Sequence, residues 1–121
     1  MGKTILVVDD STSLRQLVNI TLKGAGFDVV EAGNGLEALE KITSTRVHLI
    51  ISDVNMPKMD GITLVKEVKK LPDYRFVPII LLTTESEEEK KREGQAAGAK
   101  AWVTKPFQPA QILGAIQRLL P

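Results

Sequence analysis

Strand-like and helix-like stretches alternate five times along this chain, and no other feature limits its fold so tightly. Short runs of branched apolar residues, at Ile5 to Val8, Val47 to Ser52, Val77 to Leu82 and Ala101 to Thr104, read as strands buried on both faces. Phe27 to Glu31 is more polar and is expected at a sheet edge. The first helix has Ser11 or Ser13 as its cap, Leu14, Leu17, Val18 and Leu22 on one face, and Gly24 and Gly26 as its stop. The second follows Gly33-Asn34-Gly35 and turns Leu36, Leu39 and Ile42 inward. The third carries Ile62, Val65 and Val68 and ends at Leu71-Pro72. A charged fourth helix is expected over Glu85 to Gly98, and Pro109 opens a fifth with Ile112, Ile116, Leu119 and Leu120 inward. Five uninterrupted β–α units predict one domain over residues 1–121. Its class is α/β: a doubly wound, five-stranded parallel sheet covered by helices on both faces. The flavodoxin-like order 2-1-3-4-5 is adopted from known sheets of this kind.

In such sheets ligands bind beyond the carboxyl ends of the strands, where the strand order reverses. Here the first strand ends in Asp9-Asp10, the third in Asp53, the fourth in Thr83-Thr84, and the fifth runs into Thr104-Lys105-Pro106. All of these groups are expected on one rim. Crowded carboxylates repel one another, and a divalent cation among them relieves the repulsion. Magnesium prefers oxygen ligands and commonly takes one or two carboxylates plus a phosphate. Lys105 adds a fixed positive charge and Thr83 a hydroxyl. Together these groups make a cradle for a phosphoryl group, and one carboxylate becomes a candidate nucleophile.

Composition removes several alternatives. There is no cysteine and one histidine, so a thiolate site and a multi-histidine zinc site are excluded. A net charge of +1 gives no footprint for nucleic acid or an anionic membrane surface. The longest apolar runs fall far short of the ~20 residues a membrane helix needs. The start, MGKTILVVDD, meets acids too early for a signal peptide, so a cytoplasmic location is expected.

Four motifs, VVDD, SDVNMPKMDG, LLTTE and TKPF, occur in this order and spacing across the chain. With them the sequence resembles the receiver domains of response regulators, specifically the single-domain CheY-like type. The resemblance implies that Asp53 is the phosphoacceptor and that Asp10 binds Mg2+ directly. Asp9 assists through water, and the backbone carbonyl of Asn55 completes the protein's share of the coordination. Thr83 and Lys105 would contact the phosphoryl oxygens. Trp102 stands where the family usually has a Tyr or Phe that changes rotamer on activation, so Thr83 and Trp102 form the expected switch. The Lys105–Pro106 peptide is expected to be cis. The implied function is phosphorylation-dependent signalling of chemotaxis type. A histidine kinase is the donor, and the downstream target is a protein such as a flagellar motor or relay component. The chain is expected to be a monomer that catalyses only its own phosphoryl uptake and loss, not an enzyme acting on other substrates.

Plainer readings exist for each element. Asp9-Asp10 could serve only to cap a helix, and Asp53-Val54-Asn55 could be only a turn. Asp60-Gly61 and Pro57 read as loop exits. Thr84 reads as a strand-end cap and His48 as a strand-start residue without chemistry. From Glu85 to Gly98 there is no large apolar residue, and only Ala96 and Ala97 offer burial. Glu87 to Lys91 and Glu88 to Arg92 would support that helix as i,i+4 pairs. This weakly anchored helix is expected to re-seat, with Trp102 and the last helix, when Thr83 is drawn toward a phosphorylated Asp53. Three rival functions share parts of this pattern. A haloacid-dehalogenase-like phosphatase would place its nucleophile on the first strand with an acid two residues on, whereas Asn55 follows Asp53 at that distance. A non-reacting scaffold would be expected to lack an acid or the lysine. A receiver cut from a DNA-binding regulator is the third.

Overall fold

A computed structural model describes residues 2–84 and 88–120. Five strands and five α-helices alternate: β1 (Thr4–Val8), α1 (Thr12–Gly24), β2 (Asp28–Ala32), α2 (Gly35–Ser44), β3 (Leu49–Asp53), α3 (Gly61–Lys69), β4 (Ile79–Thr84), α4 (Glu88–Ala97), β5 (Ala101–Lys105) and α5 (Pro109–Leu119). A single 3-10 turn, Pro72–Tyr74, separates α3 from β4. The strands form one parallel sheet in the order β2-β1-β3-β4-β5, as expected, with the more polar β2 at one edge.

Strand side chains alternate between two cores, because successive residues of a strand point to opposite faces. Leu6, Val8, Ile50, Ile79 and Leu81 pack with α2 and α3 through Ala38, Ile42, Leu64, Val65 and Val68. Ile5, Val7, Leu49, Ile51, Ile80 and Leu82 pack with α1 and α5 through Val18, Leu22, Ile112, Ala115 and Ile116. Tyr74 ties the first core to the loop before β3. Its hydroxyl donates to the Ile42 carbonyl at 3.1 Å and accepts from the Val47 amide at 3.3 Å.

Helix starts follow the local chemistry. Ser11 caps α1 by accepting from the Leu14 amide at 3.3 Å, Asn34 caps α2 from Glu37 at 2.9 Å, and Asp60 caps α3 from Thr63 at 2.7 Å. Gly26, at φ +94°, turns the chain out of α1 in a conformation that side-chain-bearing residues rarely adopt.

Besides shifts of one or two residues at strand ends, the structure departs from the sequence reading at three places in the helices. Leu17 and Leu36, expected inward, are 46% and 47% exposed, because the buried stripe of each helix is narrower than its apolar stripe. Helix α4 seats on the sheet through Gly94 rather than Ala96. Gly94 is buried, Ala97 is partly buried against the core, and Ala96 is exposed. A Cβ at Gly94 would come within 2.5 Å of the Leu81 side chain, so the glycine permits the close approach. Glu88 pairs with Lys91 at 3.6 Å, three residues on, in place of the expected Arg92. The expectations placed on Glu85 and Glu87 lie outside the described residues.

Candidate functional site

Strand register brings the polar ends together. Val8 is level with Ser52 across the β1–β3 pair, so the residues that follow, Asp9 and Asp53, emerge side by side. Asp53 is level with Leu82 on β4, and Thr83 comes next. Thr84 is level with Lys105 at the end of β5. One carboxylate oxygen from each of Asp9, Asp10 and Asp53 lies within 4.8 Å of the others. Lys105 Nζ sits 3.0 Å from Asp53 Oδ1 and 3.7 Å from Asp9 Oδ2. Asp9, Asp53 and Thr83 are buried, whereas Asp10 is exposed at the lip.

The electrostatics are those of a site short of positive charge. Burial pushes the Asp53 carboxyl above the ordinary carboxylate value, and the hydrogen bond and charge of Lys105 only partly offset it. Burial likewise raises Asp9. Its bond from the Ser11 amide opposes that shift, and the neighbouring Asp53 charge adds to it. Two buried side-chain oxygens, Asp9 Oδ2 and Thr83 Oγ1, have no hydrogen-bond partner among the described residues. A buried oxygen without a partner is costly in a finished interior. Here both belong to the acidic rim and fit a cleft shaped for a bound group. Three convergent carboxylates, one of them with an unpartnered oxygen, are oxygen donors of the kind a hard divalent cation takes. Magnesium therefore fits this site.

The loop from β3 to α3 closes one side. Gly61 N–H donates to the Val54 carbonyl at 2.9 Å, folding the start of α3 directly over the end of β3. Lys58 holds a left-handed backbone at φ +69° in that loop. Asn55 lies on the lip, and its side-chain oxygen accepts from Lys90 of α4 at 3.0 Å. Asp10, Asn55, Met56, Pro57, Asp60 and Lys90 line an open cleft of about 480 Å³ there. The Lys105–Pro106 peptide is cis, as expected.

Trp102 is not part of this cluster. It is half-buried, level with Leu81, and packs toward the core beneath α2 and α3. It also borders a shallow pocket with Gly114 and Arg118 of α5. His48 accepts from the Thr4 amide at 3.0 Å, a structural tie between β1 and β3.

Two residues that no sequence motif singles out touch the rim. Lys90 is one. Arg15 is the other: its guanidinium donates to the Asp9 carbonyl at 2.6 Å and to Glu31 Oε1 at 3.1 Å. Lys90 reaches Asn55 from 35 residues away and Arg15 is held by Glu31 from 16 away, so no local pattern announces them.

Comparison with known proteins agrees with this geometry. Residues 5–117 match the family model described as response regulator receiver domain. The structure superposes on the Vibrio cholerae chemotaxis protein CheY4 with a TM-score of 0.95 and 49% identity, covering 99% of this chain and 100% of that one. The receiver domain of the Pseudomonas aeruginosa sensor histidine kinase PA1611, solved with a magnesium ion coordinated in its active-site cleft, matches with a TM-score of 0.89 and 27% identity. That match covers 98% of each chain. The Bacillus subtilis alkaline phosphatase synthesis transcriptional regulatory protein PhoP is 38% identical over 99% of this chain but only 49% of its own length. The chain thus spans about half the length of that regulator. No helix among the described residues is long and apolar enough to cross a membrane.

Proposed function

The chain belongs to the response regulator receiver domain family, and from that premise we propose that Asp53 accepts a phosphoryl group from a histidine kinase in a chemotaxis-type signalling pathway. A receiver of this kind is a signalling phosphoacceptor, not an enzyme acting on other substrates. One observation carries the assignment to Asp53. Its carboxylate is the buried one that sits both within the three-acid cluster and 3.0 Å from Lys105. An oxygen of Asp53 attacks phosphorus, and a P–O bond forms as the bond from phosphorus to the kinase imidazole breaks. Lys105 and the Thr83 hydroxyl face the charge that builds on the phosphoryl oxygens. Asp9, Asp10, Asp53 and the Asn55 carbonyl would hold Mg2+, which when bound neutralises charge shared between the carboxylates and the phosphoryl group.

Phosphorylation then gives the orphaned Thr83 hydroxyl a partner. In response, α4, Trp102 and α5 present a changed face to a target protein. The 49% identity to a chemotaxis protein over its full length supports the chemotaxis assignment and residues 1–121 as one working receiver. A second reading is favoured by the half-length match to PhoP: the receiver portion of a transcriptional regulator. Capture of partners with and without beryllofluoride separates a motor-type target from a kinase, a scaffold or another relay protein.

The direct test is labelling with acetyl phosphate and Mg2+. Asp53→Asn should take up no phosphate, and chelation of Mg2+ should stop both uptake and loss in the parent. Phosphate uptake by Asp53→Asn at the parental level would overturn the assignment.

A further inference from the structure

Every polar atom of the Asp9 backbone has a partner, and one partner is a side chain. Its N–H donates to the Ala32 carbonyl at 3.1 Å, inside the β1–β2 edge of the sheet. Its carbonyl accepts from Arg15 Nη1 at 2.6 Å. Its Oδ1 accepts from the Ser11 amide at 2.9 Å, which leaves Oδ2 aimed into the cleft. Arg15 is itself held. Its Nε donates to Glu31 Oε1 at 3.1 Å, and Glu31 also accepts from Asn19, one turn further along α1. The Arg15 side chain is only 19% exposed.

This arrangement fixes more than Asp9. A carbonyl and the next N–H share one rigid peptide plane. Pinning the Asp9 oxygen therefore orients the Asp9–Asp10 peptide, and with it the direction in which the Asp10 side chain leaves the backbone. We propose that Arg15, braced by Glu31, is a positioning residue for the acidic cleft: it holds the Asp9–Asp10 peptide in the orientation that lets both carboxylates grip a divalent cation. The inference rests on the reading that this cleft takes Mg2+.

Charge and geometry predict opposite signs, which makes the test sharp. Arg15 is a cation beside a cation site, so on charge alone its removal should tighten Mg2+ binding. If Arg15 positions the acids, its removal loosens binding despite the charge, because groups that orient metal ligands typically contribute about 10–100-fold to affinity. The experiment titrates the full chain with MgCl2 alone and follows the backbone amide NMR shifts of residues 9–13. In Arg15→Met the Mg2+ Kd should rise at least about 10-fold, with the remaining amide spectrum retained. Arg15→Lys should recover only part of the loss, since an ammonium lacks the planar fork that bonds Glu31 and the carbonyl together. Glu31→Gln keeps Arg15 but weakens its brace, and should raise Kd about threefold or more. Because Glu31→Gln also removes a negative charge, Arg15→Lys, which keeps the charge and loses only the fork, decides the matter should Arg15→Met fail to fold. An unchanged or lower Kd in Arg15→Met, or in Arg15→Lys where the first does not fold, overturns the inference. Failure of the parent itself to bind Mg2+ instead overturns the functional reading beneath it.

Discussion

Replacing Gly61 by alanine should unfasten the floor of the cleft, whereas the same replacement at Gly114 should strengthen the protein. A Cβ at Gly61 would lie 2.2 Å from the Asp53 carbonyl oxygen and 3.0 Å from both Asp53 C and Val54 Cα. All three are backbone atoms, so no rotamer change gives room. The start of α3 must instead move by about 0.8 Å or more to reach even the shortest tolerable contact. That movement pulls on the Gly61–Val54 hydrogen bond, while Val54 is tied on its other side to the Leu82 carbonyl at 3.1 Å. Overpacking of this kind costs about 1–3 kcal/mol, and a weakened hydrogen bond adds about 1 kcal/mol. The gain from a stiffer unfolded chain returns less than about 1 kcal/mol, so the net loss is about 2–3 kcal/mol. Gly114, inside α5, has nothing within 4 Å of the corresponding Cβ, and alanine there should add about 1 kcal/mol through helix propensity. In urea, with a slope of about 1.5 kcal/mol per molar, the midpoints should fall by roughly 1.3–2 M and rise by roughly 0.7 M respectively. A Gly61→Ala midpoint within about 0.3 M of the parent, with Gly114→Ala shifted as expected, would refute the argument that α3 is seated on the Asp53 backbone itself.

Asp9 and Asp53 are both held above the ordinary carboxylate value, mainly by burial, so the unfolded chain gives up their protons at lower pH than the folded one does. In a chelator their contribution to stability is therefore full below the ordinary carboxylate range and is lost as pH rises through the raised folded values. Asp53→Asn should flatten that fall and unfold less readily than the parent at neutral pH; a variant no more stable than the parent contradicts this. Mg2+ at a hundred times its Kd should add about 2.7 kcal/mol, read as a rise in Tm, and the rise should shrink in Asp53→Asn. Lys58 adopts φ +69° without being glycine, so Lys58→Gly should stabilise by about 0.5–1 kcal/mol in the same urea assay, and a loss would show that its side chain matters more than its backbone.

Much of this was legible in the sequence because apolar runs and helix caps are local signals. The five strands and the rim of Asp9, Asp10, Asp53, Thr83 and Lys105 needed only strand ends and a rule about parallel sheets. Strand boundaries were less legible. The ladders of β3 and β4 run on through Asp53, Thr83 and Thr84, polar residues that hydrophobic patterning assigns to loops. Helix faces erred where a periodic leucine lies at the margin of the buried stripe, as at Leu17 and Leu36. Gly94 carries no side chain for hydrophobic patterning to detect, and the Leu81 side chain that requires it lies thirteen residues away on another element. Arg15 and Lys90 were invisible for the same reason. Their partners, Glu31 and Asn55, are brought to them by the fold rather than by spacing.

Helix α4 meets the sheet where the Leu81 side chain fills the space left by Gly94, and the residues it turns to the core there, Gly94 and Ala97, are small. With so little of its own side-chain bulk set into the core, a small roll or slide disturbs few contacts. The outward residues Glu89, Arg92, Glu93 and Gln95 answer to no packing partner below them. Lineages could rewrite that surface to suit new docking proteins without disturbing the hydrophobic interior, and an engineer could retarget the module there before touching anything else.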